Sequence, residues 1–469
     1  MTKHFDLILI GTGSGNSILS PALDAWSIAI VEEGVFGGTC LNRGCIPSKM
    51  FVHAADVAET VRHAGHLGID AHVDDVRWRD IRDRVFRRID PIAAGGEAYR
   101  THRCPNVTVF KGHGSFVGSH TIAVKGEEIT GTHIVVAAGA RPNIPKIDGL
   151  HDVPFHTSDE IMRLDELPNH LIVVGGGFIA NELAHVFGSF GSQVTMVHRG
   201  DRFLREQDDE IALAFTDVVK ARDRFTVRLH VTPVSVVRKG GEIHLTLSDG
   251  TVVVGDTLLL ATGRIPNTDT TAVARAGLEL HTDGRIVVDD FQRTSVARVW
   301  ALGDISSPHM LKHVANHEAK VVAHNLANPD SLIRTNHAFV PSAVFTRPQI
   351  ATVGLTERAA RAEGIDVVVK SQRFGDVAYG WAMEDTTGVC KLIADRVTRR
   401  LVGAHIMGPQ SSTLIQQLIQ GMRAGQTVDQ MAHDQYYIHP ALPEVIENAL
   451  LGLQFDGVAG EVIMPGVSV

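Results

Sequence analysis

Cys40 and Cys45 lie in "GGTCLNRGCIPSK" (37–49), five positions apart between a glycine pair and a Pro-Ser-Lys. Inside one regular α-helix that spacing would part the two Cα atoms by roughly 7.5 Å along the axis, beyond the usual reach of a disulfide. The expectation is a Cys40 on a loop and a Cys45 that opens the helix running on through "SKMFVHAADVAETVRHAG". A sulfur at a helix N-terminus has its thiolate favoured by the dipole and the free N–H groups. The glycines before the pair, Gly38 among them, let the loop pass close to a flat ligand. The two sulfurs therefore read as a reactive redox pair, while Cys104 and Cys390 read as packing residues.

Such a pair needs a source of electrons, and the chain repeats a dinucleotide-binding pattern. The apolar run "FDLILI" (5–10) leads into "GTGSGN", and "LIVV" (171–174) leads into "GGGFIA"; each reads as strand, glycine turn, helix. In the first copy Gly11, Gly13 and Gly15 make the turn, and the third fingerprint position is Asn16, where a small residue would ease helix packing. In the second copy Gly175 and Gly177 make the turn and Ala180 keeps the small residue. Each copy is followed by a similar closing segment, "IVVAAGARPNIP" with Gly139 and "LLLATGRIPNT" with Gly263. Two dinucleotides are expected to bind.

The strand after each turn separates the two cofactors. "SIAIVEE" places Glu32 where a carboxylate accepts hydrogen bonds from an adenosine ribose. The matching strand of the second copy, "QVTMVHRGDRFLRE", ends in His198 and Arg199 without an acid, and Arg205 follows. Arginines there suit a 2′-phosphate, because a guanidinium donates bidentately to phosphate oxygens, and this favours NADPH over NADH.

Composition narrows the setting. A chain of 469 residues with 44% hydrophobic and 21% charged residues is long enough for three or four globular domains, and its net charge of −9 argues against nucleic acid or an anionic membrane as partner. The N-terminal "MTKHFDLILIGTGSG" carries neither a secretory pattern nor a membrane span, so a cytoplasmic location is expected, where lasting disulfides are usually catalytic. His309, His313 and His317 repeat at four-residue spacing in "HMLKHVANHE", but no further ligand motif accompanies them and no metal is expected.

The long motif at 37–49 resembles the redox-active segment of the FAD-dependent pyridine nucleotide-disulfide oxidoreductases, the family of glutathione reductase, lipoamide dehydrogenase and mercuric reductase. The resemblance extends through the first glycine turn, through "VWALGDI" (299–305) and to "HPALPE" (439–444). It implies an α/β fold with two Rossmann-like dinucleotide-binding domains and a C-terminal α+β dimerisation domain. The boundaries expected are 1–150 for FAD with the redox cysteines, 151–272 for NADPH, 273–340 as the return to the FAD domain, and 341–469 for dimerisation.

By the same resemblance Gly38, Thr39, Gly139 and Asp304 meet the FAD, Asp304 at its ribityl chain. Cys45 is the flavin-proximal sulfur, whose thiolate rests against the flavin, and Cys40 is the outer sulfur that attacks substrate. Lys49 and Glu182 occupy positions that pair beside the flavin, although some relatives carry a second Lys where Ser48 stands. His439 and Glu444 match an acid/base dyad reaching the disulfide from the other subunit of a homodimer. Histidine suits that duty, since thiol–disulfide exchange needs a proton at the departing sulfur and a carboxylate on the other ring nitrogen fixes the tautomer.

The tail "GLQFDGVAGEVIMPGVSV" holds no cysteine for a second relay, so a small-molecule disulfide is expected to reach Cys40 directly. Glutathione reductases place an arginine where this chain has Pro21, and lipoamide dehydrogenases an acid where it has His198. Lys320 is a candidate cation near the substrate. A flavoprotein that binds or senses without turnover is the competing class, and the intact cysteine pair and dyad speak against it.

Overall fold

The computed structural model describes residues 2–455; most of the cysteine-free tail lies outside the described residues. The chain forms two compact units, residues 1–203 with 219–337, and residues 204–218 with the segment from 338 onward.

The first unit is built on two sheets whose central strands run parallel. In one, Val107–Lys111, Ile28–Glu32, Lys3–Ile10, Glu127–Val136 and Val299–Ala301 lie side by side in that order. Their sequences are continuous apolar runs because both faces are covered, and Leu7, Ile8 and Leu9 have no exposed surface. In the other, Phe225–Arg228, Gln193–Val197, His170–Val174 and Thr257–Leu260 repeat the arrangement. Each glycine turn thus leaves the C-terminal end of a central parallel strand, where ligands bind in sheets of this kind.

The two glycine turns open different structures. After Gly177 the helix Phe178–Phe190 runs for 13 residues. After Gly13 there is only a 3₁₀ turn, Ser14–Ile18, and a second at Pro21–Leu23, which corrects the expectation of a regular helix in the first copy. Proline at 21 disfavours helical backbone in the residue before it and offers no N–H for continuation. Asn16 causes no strain, for its side chain turns to Arg100, whose Nε donates to Asn16 Oδ1 at 2.9 Å. The close packing falls to Gly15, where an added Cβ would sit 2.6 Å from that of Ala137.

The second unit centres on a five-stranded antiparallel sheet in the order Pro341–Val344, Gln349–Gly354, Leu401–Gly408, Val389–Asp395, Val367–Arg373. Leu392, Ile406, Leu418 and Val445 join the sheet to the helices Ser411–Ala424 and Glu444–Leu451 in one core. Residues 204–218 enter this unit through charge. Lys391, almost wholly buried, sits 2.8 Å from Asp208 and 2.8 Å from Glu357. Burial works against its charge, yet the bonds to Asp208 and Glu357 raise its pKa to about 12. A buried ammonium is tolerated only with such partners. Among the described residues no helix is long and apolar enough to cross a membrane.

Candidate active site

A groove of about 660 Å³ opens at the first glycine turn of the first unit. Its lining includes Gly11, Gly13, Gly15, Glu32, Gly38, Thr39, Gly139 and Asp304, together with Cys40, Cys45, Lys49 and Glu182. Residues far apart in sequence thus converge on one wall.

The two cysteines do not share a helix, as their spacing requires, but Cys40 is not on a loop. It sits in a short helical turn, Gly38–Asn42, and Arg43 and Gly44 break the backbone before Cys45 opens the helix Cys45–Arg62. Gly38 makes this possible with φ +65°, and a Cβ there would lie 2.7 Å from the Cα of Gly13. The redox turn and the first glycine turn therefore touch backbone to backbone, leaving room for a flat ligand.

Both sulfurs are thiols in this structure. The hydrogen bond from the Cys40 thiol, against the cost of burial and with help from the Lys49 ammonium, lowers the pKa of Cys45 to about 7. The same bond, with burial, pushes Cys40 far up. Negative charge consequently rests on Cys45, at the helix N-terminus. In the reduced protein, alkylation of Cys45 by iodoacetamide should be half-maximal near pH 7 and fall away at lower pH as the thiolate is lost. Site-resolved mass spectrometry across pH checks this, and a midpoint near that of a free thiol would contradict it.

Lys49 and Glu182 come together, with the ammonium 2.7 and 2.9 Å from the two carboxylate oxygens. The pair joins the helix that Cys45 opens to the helix Phe178–Phe190 of the second glycine turn. Glu32 is held by three donors, Thr12 N, Thr12 Oγ1 and Gly34 N at 2.7–2.9 Å, which aim its carboxylate at the groove. Asp304 lies in the turn Gly303–Ile305, and burial raises its pKa.

At the second turn Gly175 has φ +142°, and a Cβ there would collide with the Ala261 carbonyl oxygen. Gly177 precedes the helix and Ala180 is fully buried within it, while Gly263 accepts a hydrogen bond from Asn143 N at 2.9 Å. Arg199 is exposed just past the end of Gln193–Val197. Arg205 belongs to the second unit, where its Nε lies 3.2 Å from Glu206. His439 and Glu444 also lie in that unit, with Nδ1 2.6 Å from Oε1, the imidazole 72% exposed and the carboxylate 17%.

The helix Lys312–Ala327 starts after His309, so the three histidines do not line one helical face. Among the described residues no group of metal-ligating side chains gathers. Lys320 is exposed and is not among the residues that line the groove, whereas Lys312, eight positions earlier on the same helix, is. Phe178 and Arg264 line the groove too. Both sit inside the quoted motifs "GGGFIA" and "LLLATGRIPNT", but it is the fold that brings them to the groove of the first glycine turn, so sequence reasoning passed over them.

Residues 5–319 match the pyridine nucleotide-disulphide oxidoreductases and residues 340–450 match the dimerisation domain of that family. The chain belongs to this family. It is an enzyme of the flavin-dependent disulfide oxidoreductase kind, in a family that works with FAD and a nicotinamide dinucleotide. It is 54% identical over 463 residues to a mycothione reductase of Mycobacterium tuberculosis, an alignment covering 96% of this chain and 100% of that protein. It is 33% identical to a glutathione reductase of Burkholderia cepacia, covering 91% of this chain and 94% of the relative. Among solved structures, the HOCl-induced flavoprotein disulfide reductase RclA of Escherichia coli superposes with a TM-score of 0.84 at 27% identity, covering 96% of this oxidoreductase and 100% of that chain. The groove suits the flavin dinucleotide of the family: its glycine backbones approach closely, Glu32 offers an acceptor and Asp304 a half-buried carboxyl.

Proposed function

We propose that this oxidoreductase uses NADPH to reduce mycothione to mycothiol, in the cytoplasm, as a homodimer whose active sites are shared between subunits. The observation carrying the substrate is the 54% identity to a mycothione reductase along nearly the whole chain. In this reading residues 1–150 with 273–340 hold FAD through Gly11, Gly13, Gly15, Glu32, Thr39, Gly139 and Asp304. Of the span 151–272, residues 151–203 and 219–272 hold NADPH through Gly175, Gly177, Ala180, Gly263 and Arg199; Arg205, which belongs to the second unit, is left out of this set.

A flavin held by Gly11, Gly13, Glu32 and Asp304 would supply two-electron transfer between NADPH and the cysteine pair. The protein's own residues do the rest. Cys45 keeps the negative charge, with Lys49 beside it and Glu182 holding Lys49. Cys40 must lose its proton before it can attack, and His439 of the partner subunit takes it, oriented by Glu444 of the partner subunit. Cys40 then bonds to one sulfur of mycothione, and the departing mycothiol receives the proton. Cys45 attacks the Cys40 sulfur and closes the disulfide, and the second mycothiol leaves as a thiolate that takes a proton from water.

Each half of mycothione is an acetylated cysteine on an amino sugar joined to inositol, rich in hydroxyls and free of carboxylates. A site for it needs neutral donors and acceptors, and Pro21 supplies no charge for a glutathione carboxylate. With NADPH, mycothione should give a kcat/KM at least about 100-fold above that of glutathione disulfide, about 2.7 kcal/mol. Comparable rates, or faster turnover of dihydrolipoamide with NAD, would overturn the reading. Arg199→Ala should lower kcat/KM for NADPH roughly tenfold and leave NADH nearly unchanged. Equal losses with both would make the arginine structural.

A further inference from the structure

Lys312 stands at the first position of the helix Lys312–Ala327 and lines the groove that holds Cys40. Its ammonium donates to Ser14 Oγ at 2.9 Å, and that hydroxyl donates in turn to Asn316 Oδ1 at 3.1 Å. A long, mobile side chain is thus tied down on the residue next to Gly13. Gly13 is the residue against which Gly38 packs, and Cys40 lies two positions beyond Gly38. The tether places a fixed positive charge beside the turn that carries the outer sulfur.

The charged and titratable groups around Cys40 come from three elements. Cys45 opens the following helix and accepts the Cys40 proton's hydrogen bond, which opposes ionisation of Cys40. Asp304, from the turn Gly303–Ile305, has its carboxyl raised by burial and shares the field of Lys312. Lys312 favours the Cys40 anion. The ion pair Lys49–Glu182 acts on Cys45 instead.

We propose that Lys312 is a positioning residue for the exchange step, its ammonium held by Ser14, which is itself hydrogen-bonded to Asn316, so as to favour the Cys40 thiolate that attacks the substrate disulfide. This rests on the reading that Cys40 is the attacking sulfur. In the step, the Cys40 S–H bond gives its proton to a base and the thiolate forms a new S–S bond. The substrate S–S bond breaks, and the departing sulfur takes its electron pair and then a proton. A cation fixed near the start of this path lowers the cost of the first event without touching the substrate.

The test uses the FAD-loaded protein in two backgrounds, each with one redox sulfur left. In Cys45→Ala, Lys312→Met should slow alkylation of Cys40 by iodoacetamide roughly tenfold near neutral pH and move its pH midpoint upward, and Lys312→Arg should restore most of the rate. In Cys40→Ala, Lys312→Met should leave alkylation of Cys45 unchanged. An unchanged Cys40 rate, or equal slowing of both sulfurs, would overturn the proposal. Should Lys312→Met fail to fold, Ser14→Ala removes only the tether and should slow Cys40 in the same direction by less; no slowing would overturn it. The thiol reactions contain no mycothione, so failure to turn over that substrate would sink the substrate reading and leave the role of Lys312 standing.

Discussion

Cys40→Ser protein should reduce mycothione slower by on the order of a thousandfold or more, yet pass electrons from NADPH to a small quinone at close to the wild-type rate. A serine hydroxyl cannot form the mixed disulfide, so the exchange half of the cycle stops. The flavin-side half does not use the outer sulfur and should persist. Cys45→Ser should lose mycothione reduction to a similar extent, because nothing then resolves the mixed disulfide, and the two losses should not add. Steady-state rates with each acceptor decide it. A Cys40→Ser enzyme that still reduced mycothione within about tenfold of wild type would show that Cys40 is not the attacking sulfur.

His439→Ala should cost between about 10² and 10⁴ in kcat/KM for mycothione, the usual worth of a positioned acid/base. Glu444→Gln should cost less, since it leaves a hydrogen-bonding partner on Nδ1, 2.6 Å away in the native pair. The imidazole presents most of its surface to solvent within its own unit, which suits a group that works on another chain. Mixing inactive Cys40→Ser and His439→Ala subunits should therefore regenerate activity, since half of the sites in a mixed dimer hold both native residues. Mixed dimers with no more activity than the parents would place His439 in the same subunit as its cysteine.

That the cysteines and the glycine turn would meet in one groove was legible because their constraints are local. Cysteine spacing excluded a shared helix, the glycine turns announced their own backbone geometry, and apolar runs marked strands covered on both faces. The short turn after Gly13 was harder to read, because Pro21 outweighed the helix that a fingerprint normally opens. The helical turn around Cys40 was missed since a Gly38 at positive φ permits a compact bend that spacing alone treats as loop. Residues 204–218 join the second unit through Lys391, 183 positions beyond its partner Asp208, and Lys312 is tied at the groove by a serine near the start of the chain. Neither partnership has a local signal. Lys320, the cation chosen from sequence, is on the same helix as Lys312 but does not line the groove.

The redox state of Cys40 and Cys45 can be read directly by trapping free thiols with an alkylating agent and locating the label by mass spectrometry. Oxidised enzyme should carry no label on either residue, and NADPH under anaerobic conditions should expose both. Adding mycothione should then restore an unlabelled Cys40–Cys45 disulfide while releasing two mycothiols for each disulfide consumed. NADPH consumption and mycothiol release with the labelling of the two cysteines unchanged would contradict a cycle that runs through this pair.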